Sequence, residues 1–290
     1  MNIIESIFWQ MGAASKHLSR MSARRETPPG MRTYTAMQAF LAGSADIDAA
    51  VIDAYWRHHQ GCDLHIATYT RLLCRTSRGS VAARVARHVR THDAALSLNP
   101  RRPLIFTLHW VDLFFCVAGL AQAAGMRGAE LLVVRRPNGM RFDSAALLAL
   151  ARRSHLPLRF VAPGAADTLQ CIAAHLDRDW PVLVMVDLWA VYGPTLPVAT
   201  APDGARVLNL CINPFLLARR MRASIFTASA LGSVAAGGLD IHIKHHLLDK
   251  PPIATLMTAV ATELFGAVGP GRGLWLSWLA YPFFLIRSED

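Results

Sequence analysis

The 290-residue sequence predicts an α/β fold: a central, mostly parallel or mixed sheet with helices on both faces, preceded by an N-terminal helical segment. Three observations predict it. Short continuous apolar runs recur from residue 103 onward, as expected of strands buried on both faces. Segments with helical spacing alternate with these runs. Turn residues separate the two kinds of segment, so the order reads strand–helix–strand.

The elements follow in order. Residues 1–33 read as a tether: a short apolar start, the basic stretch "SRMSARRE", then "TPPG", with flexibility expected around Pro28–Gly30. Residues 34–290 read as one domain. It opens with helices over 34–60, 64–76 and 80–97. In the last of these Val81, Val85 and Val89 share one face, and Arg84, Arg87 and Arg90 form a basic stripe. "PLIFTL" (103–108) is the first strand, followed by a helix from Trp110 to Ala124. "AELLVV" (129–134), "LPLRFV" (156–161) and "PVLVMVD" (181–187) are further strands, with helices over 142–153 and 165–176 between them. A helix over Val207–Arg220, strands "ASIFTASAL" (223–231) and "LDIHIKH" (239–245), and a helix over 253–268 complete the series.

Composition narrows the function. Apolar residues make up 53% of the chain and mean hydropathy is +0.28, high for a soluble domain, which suggests contact with lipid or an apolar ligand. No uninterrupted apolar run approaches the roughly 18 residues that a membrane-spanning helix needs. The first 20 residues make a poor signal peptide but suit an amphipathic interfacial helix. The net charge is +10, which attracts nucleic acid, anionic membrane or an acidic protein. Between Arg71 and Arg102 eight arginines face one acid, Asp93. The five cysteines are scattered without metal spacing, consistent with reduced thiols in a cytoplasmic setting.

The polar residues collect where ligands bind in such sheets, beyond the carboxyl ends of the strands. The first strand ends at His109, within "IFTLHWVDLFF". The second ends at Arg135, Arg136 and, after a proline, Asn138; the fourth ends at Asp187. A histidine can take a proton from a hydroxyl or amine when a carboxylate orients its ring. An arginine in a turn suits a phosphate or a developing oxyanion. Asp112 and Asp187 are the carboxylates in question, and the sequence reads equally well with His109 as a structural core histidine.

The order of these motifs resembles the lipid A late acyltransferases, of the lauroyl/myristoyl transferase type, within the lysophospholipid acyltransferase-like superfamily. "RPLIFTLHWVDLFF" looks like the family's strand and catalytic histidine in "GVIL-x-x-HF-x-x-x-E". "LLVVRRPNGMRFDSAAL" is similar to its "Y-R-P-x-x-N" turn, "WPVLVMVDLWAVYG" to its "D-Q" strand end, and "ELFGAVGPGRGLWLSWLAYP" to its closing helix and "P-x-Q-Y-x-W-x-H-x-R". The likeness runs from about residue 60 to 282. It departs at the dyad: the family's carboxylate lies five residues after the histidine, where this chain has Phe114. Asp112, at plus three, is rotated from that position by about 200° on a helix. Asn138 comes early, Leu188 replaces the glutamine, and the closing "H-x-R" reads "SWLAYP".

The resemblance implies transfer of a fatty acyl group from acyl carrier protein or acyl-CoA to a hydroxyl or amine of a lipid or specialised metabolite. His109 would be the general base, Asp112 or Asp187 would orient it, and Arg135, Arg136 and Asn138 would meet substrate. Arg84, Arg87 and Arg90 suit an acidic carrier protein or an anionic membrane. No cofactor and no metal are called for, no motif supports nucleic-acid binding, and the expected location is cytoplasmic or peripheral on the inner membrane. The alternative is a non-catalytic accessory protein that keeps the fold and binds lipid or carrier protein. Three other constellations read as incidental. "HHQGCD" (His58, His59, Asp63) matches the HHxxxD spelling of condensation-type acyltransferases but lies between expected helices. "HIKHH" (His242, His245, His246) reads as a solvated strand edge rather than a metal site, and "GPGRG" (269–273) as a turn. The aromatic tail, Trp275, Trp278, Tyr281, Phe283 and Phe284, suits either a membrane boundary or packing on the sheet.

Overall fold

The computed structural model describes residues 28–41, 47–73, 83, 85–92, 100–135, 156–164, 166–187, 193–200, 206–234, 237–247, 251–269 and 273. The elements in chain order are α1 (Pro28–Leu41), α2 (Ala49–Leu73), β1 (Val89–His92), β2 (Pro103–Thr107), α3 (Leu113–Met126), β3 (Leu131–Val134), β4 (Leu158–Val161) and α4 (Thr168–Leu176). They continue with β5 (Val182–Met185), β6 (Thr195–Ala199), β7 (Val207–Cys211), α5 (Asn213–Met221), β8 (Ser224–Ser233), β9 (Gly238–His246) and α6 (Ile253–Gly266).

Among the described residues seven strands form one sheet in the order β1-β9-β8-β2-β5-β3-β4. β8, β2, β5, β3 and β4 run parallel; β9 is antiparallel to β8, and β1 is parallel to β9. The expected mostly parallel α/β sheet is therefore present. β2 and β5 are buried at every position because they lie centrally and are covered on both faces. α3 covers one face and is buried from Leu113 to Ala121. Gly119 lets it close on the sheet: a Cβ there would lie 2.7 Å from Val89 and 2.8 Å from Ile241. α6 packs on the other face, where its Glu263 bonds Lys244 of β9.

Several expected elements are corrected. The helix expected over 34–60 divides into α1 and α2, and the one expected over 64–76 is the continuation of α2. Asp48 starts α2 by accepting the Val51 N–H at 2.8 Å, an N-cap bond to an otherwise orphan donor. Pro28–Gly30, expected to be flexible, are the first turn of α1, where a proline's missing N–H costs nothing. The helix expected over 80–97 is helical at 85–88 but changes to β1 at Val89. Val89 and Thr91 face α3 while Arg90 points away, so strand alternation outweighs the helical spacing of the valines. The helix expected over Val207–Arg220 splits into β7 and α5, and β7 pairs antiparallel with β6, a hairpin the sequence reading did not place. β9 is not an edge strand, because β1 covers it. "HHQGCD" lies inside α2 rather than between helices, with His59 buried and stacked on Trp56. The tether residues 1–27, the helix at 142–153 and the aromatic tail lie outside the described residues.

Candidate active site

The register of the central strands builds the site. β2 pairs β5 with Thr107 beside Met185. The ladder continues past both strands, since the Val186 N–H donates to Thr107 O at 3.0 Å. Two residues further on, the same register sets His109 beside Asp187, one strand spacing apart. There His109 Nδ1 lies 2.7 Å from Asp187 Oδ1, and the His109 backbone N–H donates to Oδ2 at 3.0 Å. The carboxylate thus uses one oxygen to fix the chain and the other to hold the ring. With Nδ1–H donating to the carboxylate, Nε2 is left with its lone pair.

Exposure gives the pair direction. The Asp187 side chain is 0% exposed and that of His109 21%. The orienting acid is sealed and the imidazole is partly exposed, the arrangement a general base needs. A buried carboxylate requires partners, and His109 supplies two of them.

The turn that carries His109 is anchored beneath it. Trp110 Nε1 donates to Thr107 Oγ1 at 3.0 Å, and the Thr107 hydroxyl donates to Ala228 O of β8 at 2.8 Å. Both side chains are fully buried or nearly so. Trp110 rests against Gly273, whose carbonyl accepts the Tyr55 hydroxyl at 2.9 Å. Sequence reasoning missed this layer; its signal was the threonine at the end of an apolar strand and a tryptophan directly after the histidine.

Asp112 has a different task. It is buried, and its Oδ2 accepts the Val234 N–H at 3.0 Å, tying the start of α3 to the end of β8. Asp187 is the carboxylate that holds His109. Asp112→Asn should therefore keep any His109-dependent turnover within about tenfold of the parent rate, since an amide oxygen can still accept that N–H. Asp112→Ala should cost about 1–3 kcal/mol of stability by stranding it. Kinetics and thermal unfolding on the two variants check both statements. Phe114, at the position where the resemblance places a carboxylate, is 2% exposed and packs edge-on against Phe115, ring centres 5.1 Å apart. Cys116 offers no nucleophile, because burial, assisted by Asp112, pushes its thiol up to about 12.

Arg135 follows β3 at the same end of the sheet, half-buried, its N–H donating to Val161 O at 2.9 Å. Arg136 and Asn138 lie outside the described residues, as does Arg84. Arg87 is exposed in the short helical turn before β1. Arg90, on β1, makes two 2.8 Å bonds to Asp240. That guanidinium, then His92, holds the Asp240 carboxyl down to about 2. Because β1 runs against β2, its first residue lies at the His109 end of the sheet. β1 itself lies three strand spacings across the sheet from β2, roughly 14 Å, and Arg87 precedes it at the His109 end.

The histidines of β9 are engaged separately. His242 stacks on His92 with ring centres 4.5 Å apart, His245 stacks on Phe226, and His246 meets Thr227 Oγ1 at 3.0 Å. Among the described residues no group of histidine, cysteine and carboxylate side chains is placed to hold a metal, and no helix is long and apolar enough to cross a membrane. No protein-family model matches the chain, and no curated protein matches it.

Proposed function

We propose that this protein is an acyltransferase that moves a fatty acyl group from acyl carrier protein or acyl-CoA to a hydroxyl or amine of a lipid or specialised metabolite. The observation that carries this reading is the His109–Asp187 pair: an oriented, partly exposed imidazole, backed by a sealed carboxylate, at the carboxyl ends of two central parallel strands. His109 Nε2 takes the proton of the acceptor hydroxyl or amine as its oxygen or nitrogen attacks the thioester carbonyl. Asp187 steadies the imidazolium. The tetrahedral intermediate collapses with cleavage of the C–S bond, and the imidazolium returns the proton to the departing thiolate. Arg135, with Arg136 beside it in sequence, is the source of positive charge for the oxyanion. Arg87, at the same end as His109, suits the acidic surface of a carrier protein. The protein works in the cytoplasm or on the inner membrane as a peripheral protein.

The test incubates the protein with labelled acyl carrier protein or labelled acyl-CoA and cell extract, and follows label into a product. Transfer is expected with the parent chain, and His109→Ala should lower it by at least about 10³-fold without changing the fold. Undiminished turnover by that variant, or no transfer from either donor, would remove the reading.

A further inference from the structure

The end of the sheet opposite His109 carries its own pattern. Here β2, β5 and β8 begin, and three chain segments are bonded into one rim. Arg102 joins them: its N–H donates to Asp179 Oδ1 at 2.9 Å, and its guanidinium donates to Asp177 at 2.6 Å and to Met221 O at 3.1 Å. Ser224 N–H closes the rim on Arg102 O at 3.0 Å. Asp177 and Asp179 are thus spent on Arg102. Around them stand five exposed arginines, Arg101, Arg178, Arg219, Arg220 and Arg222, which have no ion-pair partner among the described residues.

Apolar groups are interleaved with this charge. Leu247, directly after β9, is 84% exposed, and Met126, the last residue of α3, is 76% exposed. Continuing the β8–β9 register past Ile225 and His246 sets Leu247 beside Ser224. Met126 borders a cleft of about 660 Å³ with Pro157 and the half-buried Trp180, and Arg178 lies over the Trp180 ring. Leu216, also exposed, is one turn from Arg219 and Arg220 on α5.

We propose that this rim is a docking surface for an anionic bilayer. Arginines interleaved with protruding apolar side chains and an interfacial tryptophan suit a headgroup layer, where charge meets phosphate and the apolar tips enter the acyl boundary. What favours a bilayer over an acidic protein is the pairing of charge with protruding apolar tips. Leu247 and Met126 mark strands β9 and β3, four spacings apart in the sheet, roughly 19 Å. The arginines that flank the starts of β2, β5 and β8 lie between these two points. The inference does not depend on the acyltransferase reading, since it uses none of the residues near His109. That end lies seven residues along β2, roughly 23 Å away.

Co-sedimentation of the full chain with phosphatidylcholine vesicles, with and without phosphatidylglycerol, tests it. Binding is expected only with the anionic lipid and should fall at high salt. An arginine near such a surface is worth about fivefold in affinity. The triple variant Arg219→Gln, Arg220→Gln, Arg222→Asn should therefore bind roughly 100-fold more weakly. Leu247→Asp should weaken binding at unchanged net arginine content. All four positions are exposed, so circular dichroism and thermal unfolding should match the parent chain. Undiminished vesicle binding by both variants would overturn the proposal and shift attention to the ends of the chain. So would binding to polyglutamate with none to vesicles, which would make the rim a site for an acidic protein.

Discussion

Replacing Asp187 with asparagine should lower the rate of the proposed acyl transfer by roughly 10³- to 10⁴-fold while leaving the fold intact. The reason lies in how the two carboxylate oxygens divide their work. Oδ2 accepts the His109 backbone N–H and Oδ1 holds Nδ1. An asparagine that keeps the backbone bond with its carbonyl must turn its NH₂ toward Nδ1. The ring nitrogen then becomes an acceptor, and the imidazole proton moves to Nε2, the atom that has to take the acceptor's proton. The base is present but in the wrong tautomer, and the carboxylate that steadied the imidazolium is gone. The loss should appear in kcat with little change in KM, because Asp187 is sealed away from substrate. A variant retaining more than about half the parent rate would exclude Asp187 as the orienting group.

Gly273→Ala should unfold the site's support. A Cβ at this position would lie 2.5 Å from the carbonyl oxygen of Ala230, 2.6 Å from the Trp110 ring and 3.1 Å from the carbonyl oxygen of Ala267. Two of those atoms are backbone, held in β8 and at the end of α6, so neither can yield cheaply. The third belongs to the tryptophan that follows His109. Overpacking of this kind costs typically about 1–3 kcal/mol and sometimes more; with backbone on two sides, about 3 kcal/mol is expected. Differential scanning calorimetry should register a drop in Tm of roughly 5 °C. The proposed acyl transfer should fall as well at low temperature, since Trp110 must shift. An unchanged Tm would mean that Gly273 does not press on Ala230 and Trp110.

Much of the sheet was legible in the sequence because its central strands are uniformly apolar. β2, β3, β4 and β5 fall inside the runs that predict them, while β8 runs two residues past the end of its run and β9 one residue past each end. The misread elements have separate causes. β1 has four residues, too few for alternation to outweigh the helical spacing of Val81, Val85 and Val89, and it exists through its pairing with β9. β6 and β7 support each other, and neither has a continuous apolar run. The break between α1 and α2 had a local signal in Asp48, an N-cap residue that the spacing of apolar positions masked.

The site divides in the same way. That His109 and Asp187 each end a strand could be read from the residues around them. That they face each other depends on the β2–β5 register, which no local pattern encodes. Asp112, the carboxylate nearest to His109 in sequence, is occupied at Val234. The fold needs an apolar residue at Phe114, because the start of α3 is core.

The register that joins His109 to Asp187 ties activity to the cooperativity of the sheet. A slip of one residue between β2 and β5 would set His109 beside Val186 and turn one strand's side chains to the wrong face. The dyad therefore has no assembly step of its own: it forms when the two central strands pair and dissolves when they part. In a denaturant series the loss of turnover should coincide with the loss of sheet signal.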